Sequence, residues 1–71
     1  MQYNIQINSK WEHKDGGFYY VLDLQDVNTL QIVIYCKDLN DEQRLYNIEN
    51  KIPLFFARDL YQFKKNFKEI K

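Results

Sequence analysis

Scarcity is the first property of this chain: 71 residues contain one cysteine, one histidine, one proline and two glycines. Serine and threonine also occur once each, as Ser9 and Thr29. A lone Cys36 excludes an internal disulfide and a cysteine-rich metal centre, and makes a reducing cytoplasm the simplest setting. Nucleophile–base pairs have almost no members to draw on, so no enzyme is expected. No apolar run approaches the length of a membrane span and no charged-then-apolar leader follows Met1, so a soluble, unprocessed protein without membrane contact is expected. An excess of charge is lacking too, with ten Lys and Arg balancing ten Asp and Glu. Bulk electrostatic attraction to nucleic acid or anionic lipid therefore has no source.

Aromatic residues are abundant at 17% of the chain. They supply large buried areas from few positions, which a single domain of this length needs. Phe, Tyr, Met, Ile, Asn and Lys, which use AT-rich codons, total 34, against 6 for Gly, Ala, Arg and Pro. That bias points to an AT-rich genome, such as a low-GC bacterium or its phage.

Periodicity gives the expected architecture. Gln2 to Asn8 alternates with Tyr3, Ile5 and Ile7 on one side, the mark of a half-buried strand continuing weakly to Trp11 and His13. Asp15-Gly16 is a strong hairpin signal, and a two-residue type I′ turn there pairs Lys14 with Gly17 and Trp11 with Tyr20. In that register Phe18, Tyr20, Leu22 and Leu24 point inward, matched by Leu30, Ile32, Ile34 and Cys36 across a three-residue Asp26-Val27-Asn28 loop. Asn28 suits the left-handed position of that loop. Arg44 to Asn50 reads as a short fourth strand, with a helix capped by Asn40 as the competitor. Ile52, Phe56, Leu60, Phe63, Phe67 and Ile70 then step along one face of a C-terminal helix that opens near Pro53. The expected fold is one α+β domain over 1–71, a four-stranded antiparallel meander (β-β-β-β-α) with one amphipathic helix across one face.

One helix covers one sheet face. The other is expected to carry Tyr19, Val21, Val33, Tyr35 and, from the fourth strand, Tyr46. A contiguous Tyr/Val patch suits a protein interface, with either a larger protein or a second copy as occupant. Along the helix, Tyr61, Lys64, Lys65, Lys68 and Lys71 form a basic stripe with one aromatic, the alternative nucleic-acid-binding surface. Lysines in a helix's last turns also complement its macrodipole, and that structural reading is favoured.

Metal and cofactor motifs are not found. His13 beside Glu12 and Asp15 reads as a turn histidine, and Cys36 as a buried structural thiol. Asp38, Asn40, Glu42 and Glu49 echo calcium-loop spacing, but Gln43 stands where the loop needs glycine. Gly16-Gly17 opens no helix and so makes no phosphate loop.

A tiny, aromatic chain with AT-rich coding and no catalytic chemistry resembles in type the small proteins of phages and mobile elements that bind and block a larger host protein. The expected function is accordingly a stoichiometric protein-binding inhibitor or regulator, for example of a CRISPR effector or another defence complex.

Overall fold

The computed structural model describes residues 5–71. Five strands and two helices follow in the order β1 (Lys10–His13), β2 (Phe18–Val27), β3 (Leu30–Lys37), α1 (Asp41–Glu49), β4 (Phe55–Asp59), α2 (Leu60–Asn66) and β5 (Phe67–Glu69). All strands pair antiparallel in one sheet of order β4-β3-β2-β1-β5. The fold is α+β with an antiparallel sheet, but with five strands in place of four and two helices in place of one.

The first departure from expectation begins at Asn8, which adopts a left-handed φ of 72°. Its N–H donates to the Val21 carbonyl at 2.7 Å, while Val21 N–H donates to Ser9. Two residues thus oppose one, a bulge that ends the alternating pattern before β1 begins. Of the expected 2–8 strand, Gln2, Tyr3 and Asn4 lie outside the described residues, and Ile5 to Asn8 form no strand. Ile5 is nevertheless buried in the core, whereas Ile7 is exposed.

The hairpin register differs by one residue. His13 pairs with Gly17 through its N–H at 3.0 Å, and Gly16 N–H donates back to the His13 carbonyl at 2.8 Å. The loop is therefore Lys14-Asp15-Gly16, with Gly16 at φ 101° and Gly17 at φ 91°. The tandem glycines provide the positive φ values that a three-residue loop with a bulge requires. His13 Nδ1 accepts the Asp15 N–H at 3.0 Å, which further holds this longer turn. Trp11 consequently lies opposite Tyr19 rather than Tyr20. A one-residue shift exchanges the two faces of a strand. Tyr19 and Val21 therefore turn to the core, and Phe18 and Tyr20 turn away.

A second irregularity, between Val21 and Asp23, changes the register against β3. Leu24 beyond it still lies opposite Val33, while Val21 lies opposite Tyr35. The bulge thus lets residues of unlike parity share one face. The β2–β3 turn is shorter than expected: Val27 pairs with Leu30, leaving Asn28-Thr29 between them. Asn28 does take the left-handed conformation, at φ 57°.

The 44–50 segment is helical, not a strand. Asn40 accepts the Gln43 N–H at 2.8 Å, and the Gln43 side chain accepts the Asn40 N–H at 3.0 Å. This reciprocal capping box, with Asp41 and Glu42 in the first turn, outweighs the weak strand signal of Leu45, Tyr46 and Ile48. At the other end Ile52 N–H reaches the Asn47 carbonyl and Lys51 N–H the Ile48 carbonyl. That is a Schellman closure with Lys51 left-handed at φ 57°. Asn40→Ala is expected to remove about 1 kcal/mol from α1. Lys51→Gly, which relieves the left-handed strain, is expected to add up to about 1 kcal/mol. Hydrogen exchange of the α1 amides checks both signs.

The expected C-terminal helix is split three ways. Phe55–Asp59 adds to the sheet beside β3, Asp59 caps the seven-residue α2 by accepting the Gln62 N–H at 2.9 Å, and Phe67–Glu69 pairs with β1. The apolar stripe still has meaning. Phe56, Leu60, Phe63 and Phe67 all reach one core, though from β4, α2 and β5 in turn. Edge pairing satisfies the backbone of these short segments and places each ring in the core, so tertiary packing overrides the helical period.

That core is Ile5, Trp11, Val21, Val33, Tyr35, Phe63 and Phe67, flanked by Tyr19, Leu24, Phe56 and Leu60. Phe63 stacks on Phe67 at 4.4 Å between centroids and meets Trp11 and Tyr35 edge-on at 5.0 and 5.1 Å. Trp11 Nε1–H donates to Ser9 Oγ at 2.8 Å, so the indole is buried with its polar atom satisfied.

Candidate interaction surface

With the faces exchanged, four of the expected binding residues are on the wrong side of the sheet for contact with a partner. Val21, Val33 and Tyr35 are buried, and half-buried Tyr19 packs edge-on against Tyr35 and Phe67. The one-residue hairpin shift is the cause. Only Tyr46 is exposed, at 58%, and it stands on α1 rather than on the sheet.

The other face carries Phe18, Tyr20, Leu30, Ile32, Ile34 and Cys36, which were expected to point inward, together with Lys10, Val27 and Phe55. Cross-strand pairing lines up Phe55, Cys36, Tyr20 and Lys10 in one row. Phe18, opposite Glu12, lies on one side of this row, and Ile34 and Ile32 on the other, opposite the hydrogen-bonded Asp23 and Gln25, before the Val27–Leu30 pair. Among the described residues no helix packs extensively over them. Phe55 is 63% exposed and Leu30 54%, while Tyr20, Ile32, Ile34 and Cys36 are half-buried by their neighbours. Lys10 lies along this face with its ammonium 4.9 Å from the Phe18 ring centroid and 5.7 Å from that of Tyr20, and 3.5 Å from the Asp38 carboxylate. Its stem covers apolar surface while its charge stays at the rim.

Helix α1 is the second unpartnered surface. It buries none of its residues, and Leu45 and Ile48 are each 56% exposed. It makes no extended packing with any strand. Arg44 holds its start by donating to the Leu39 carbonyl at 3.1 Å and to Asp41 at 3.0 Å.

The basic stripe does not survive as one line. Lys64 and Lys65 sit in the last turn of α2, Lys68 is in β5, and Lys71 follows it. Lys65 and Lys68 face a cleft of about 490 Å3 that Lys14, His13 and Glu12 also line. Tyr61 and Lys64 line a different cleft, of about 370 Å3, with Leu30 and Asp59. The stripe assumed a continuous helix, and α2 ends at Asn66.

Little on either surface offers reactive chemistry. Burial pushes the Cys36 thiol up from its ordinary range, only partly offset by the Arg44 charge. A thiol held protonated is a poor nucleophile. Among the described residues no three His, Cys, Asp or Glu side chains gather as a metal site, and no helix is long and apolar enough to cross a membrane. Asn40, one member of the calcium-loop echo, is the helix cap.

No protein-family model matches the chain, nor does any curated protein or solved structure. The site therefore rests on its own geometry. Sequence reasoning missed Phe18, Ile32, Ile34 and Phe55 as surface residues, and no local signal reveals the hairpin register that places them. Leu45 and Ile48 were assigned to a strand, although the Asn40–Gln43 pair that caps their helix is contiguous in the sequence.

Proposed function

We propose that the chain is a small non-enzymatic protein-binding module, an inhibitor or regulator that engages a larger protein stoichiometrically. The observation that carries this reading is where the exposed large hydrophobic residues lie. Of eleven among the described residues, eight belong to the bare sheet face or to α1 with its closing Ile52. Scattered apolar residues are ordinary on a small protein, but a contiguous sheet face without cover marks an interaction site. The AT-rich amino-acid usage adds a source for the partner, a low-GC prokaryote. The nucleic-acid reading through Tyr61, Lys64, Lys65, Lys68 and Lys71 retains only the Lys14–Lys65–Lys68 cleft as geometric support.

The test compares capture from a low-GC bacterial lysate by the tagged protein and by its Leu30→Glu/Phe55→Glu and Leu45→Glu/Ile48→Glu variants. The expected result is one nuclease-resistant partner at fixed stoichiometry, lost with either variant and recovered when purified partner is mixed with the wild-type chain. Capture that vanishes with nuclease, or that both variants retain, overturns the reading.

A further inference from the structure

The chain holds a sheet face that lacks a helix and, separately, a helix that lacks a sheet. On the inner face a short helix closes the core by inserting Phe63 between aromatic rings. The outer face presents Phe18, Tyr20, Ile34 and Phe55 with nothing comparable above them. Meanwhile α1 exposes Leu45 and Ile48, three residues apart on one helical face, with Ile52 held beyond them by the Schellman closure. Within one copy α1 makes no extended packing with any strand of that sheet, although Arg44 at its start acts electrostatically on Cys36. Its radius of gyration, 12.7 Å, exceeds the roughly 11 Å of a compact chain of this length. We infer that α1 of one copy seats on the outer sheet face of a second copy, and the second copy's α1 seats on the first, giving a two-fold symmetric homodimer.

Area decides between this arrangement and its rivals. Without Tyr46, which lies about 100° round α1 from Leu45, seven exposed side chains of the two surfaces are 41% to 63% accessible. At about 100 Å2 each, roughly half of what a large aromatic side chain buries, they amount to about 700 Å2 per copy. A stable interface buries about 800 Å2 on each partner. Reciprocal seating uses both surfaces of both copies, about 1,400 Å2 in total, which lies in the lower part of the stable-interface range. Packing sheet face on sheet face leaves α1 outside and uses about half the area, near the range of weak contacts. Zero net charge leaves no overall repulsion between copies. The seating rests on the protein-binding reading only in using the same surfaces, and a target protein competes with it for them.

Sedimentation and light scattering across the micromolar to sub-millimolar range test it. The wild-type chain is expected to be a dimer. Leu45→Glu/Ile48→Glu and Leu30→Glu/Phe55→Glu, all at exposed positions, are expected to be monomers with unchanged circular dichroism. Mixed together, the two variants retain one intact helix-on-face contact and are expected to associate, more weakly than wild type, where neither does alone. A wild-type monomer at all concentrations overturns the seating and leaves the capture of another protein unaffected. A helix variant that still dimerises shows face-to-face packing and overturns it, as does a mixture that stays monomeric.

Discussion

Phe63→Ala is expected to leave the chain without a cooperative fold. Phe63 is fully buried and contacts Trp11, Tyr35 and Phe67 within 5.1 Å between ring centroids. Truncating such a ring typically costs about 3–5 kcal/mol through lost transfer energy and the cavity left behind. A domain of this size has a total stability on the order of 4–11 kcal/mol. Three of the core's edge-on or stacked pairs also end on this ring, and each is worth about 0.5–1.5 kcal/mol beyond its area. The variant is therefore expected to lose its near-UV circular dichroism and its sharp urea transition. A urea midpoint within experimental error of wild type would show that α2 does not close the core.

The second large effect separates the sheet's two faces at adjacent positions. Val33→Asp places a carboxylate among Tyr35, Val21 and Leu24 where the native side chain is fully buried. An uncompensated buried charge costs about 3–5 kcal/mol even after local relaxation, so the variant is expected to be unfolded at neutral pH. Acidification protonates the introduced carboxyl and lifts that penalty, so partial recovery of structure is expected as pH falls. Ile34→Asp, one residue along, points to the uncovered face and is expected to cost only about 1 kcal/mol. Urea denaturation of both variants measures the contrast. The hairpin register expected from the sequence predicts the reverse order, so the reverse result would restore that register.

The two variants show what the sequence conceals. Period-two alternation in Phe18 to Gln25 correctly marks a strand, but both of its faces are apolar. Tyr19 and Val21 fit a core as well as Phe18 and Tyr20 do, so composition cannot choose between them. The choice lies in one loop residue, the second glycine after Asp15, and in a bulge near Leu22 that has no sequence mark. Of the C-terminal stripe, Phe56, Leu60, Phe63 and Phe67 reach the core, whereas Ile52 and Ile70 are exposed, and the stripe was illegible as structure. A four-and-three spacing is satisfied by a helix, and here also by strand, helix and strand folded onto one core. Beta pairing between distant residues carries no local signal, and β5 exists only because β1 offers it an edge. Helix α1 was the most readable missed element, since its cap, its acidic first turn and its Gln43 are contiguous. For the candidate surface, four of the five expected residues followed the register onto the core side, and only Tyr46 is exposed.

The pairing of Trp11 with Glu69 sets the order of events during synthesis on the ribosome. Strands β1 to β3 emerge first, whereas Phe63 and Phe67, which complete their core, follow only after α1 and β4. Until then the nascent meander presents both of its faces to water, one with Val21, Val33 and Tyr35 and the other with Phe18, Ile34 and Cys36. Exposed apolar faces and unpaired strand edges of this kind are open to aggregation. Completion of the core thus waits until the 63–69 segment has left the exit tunnel.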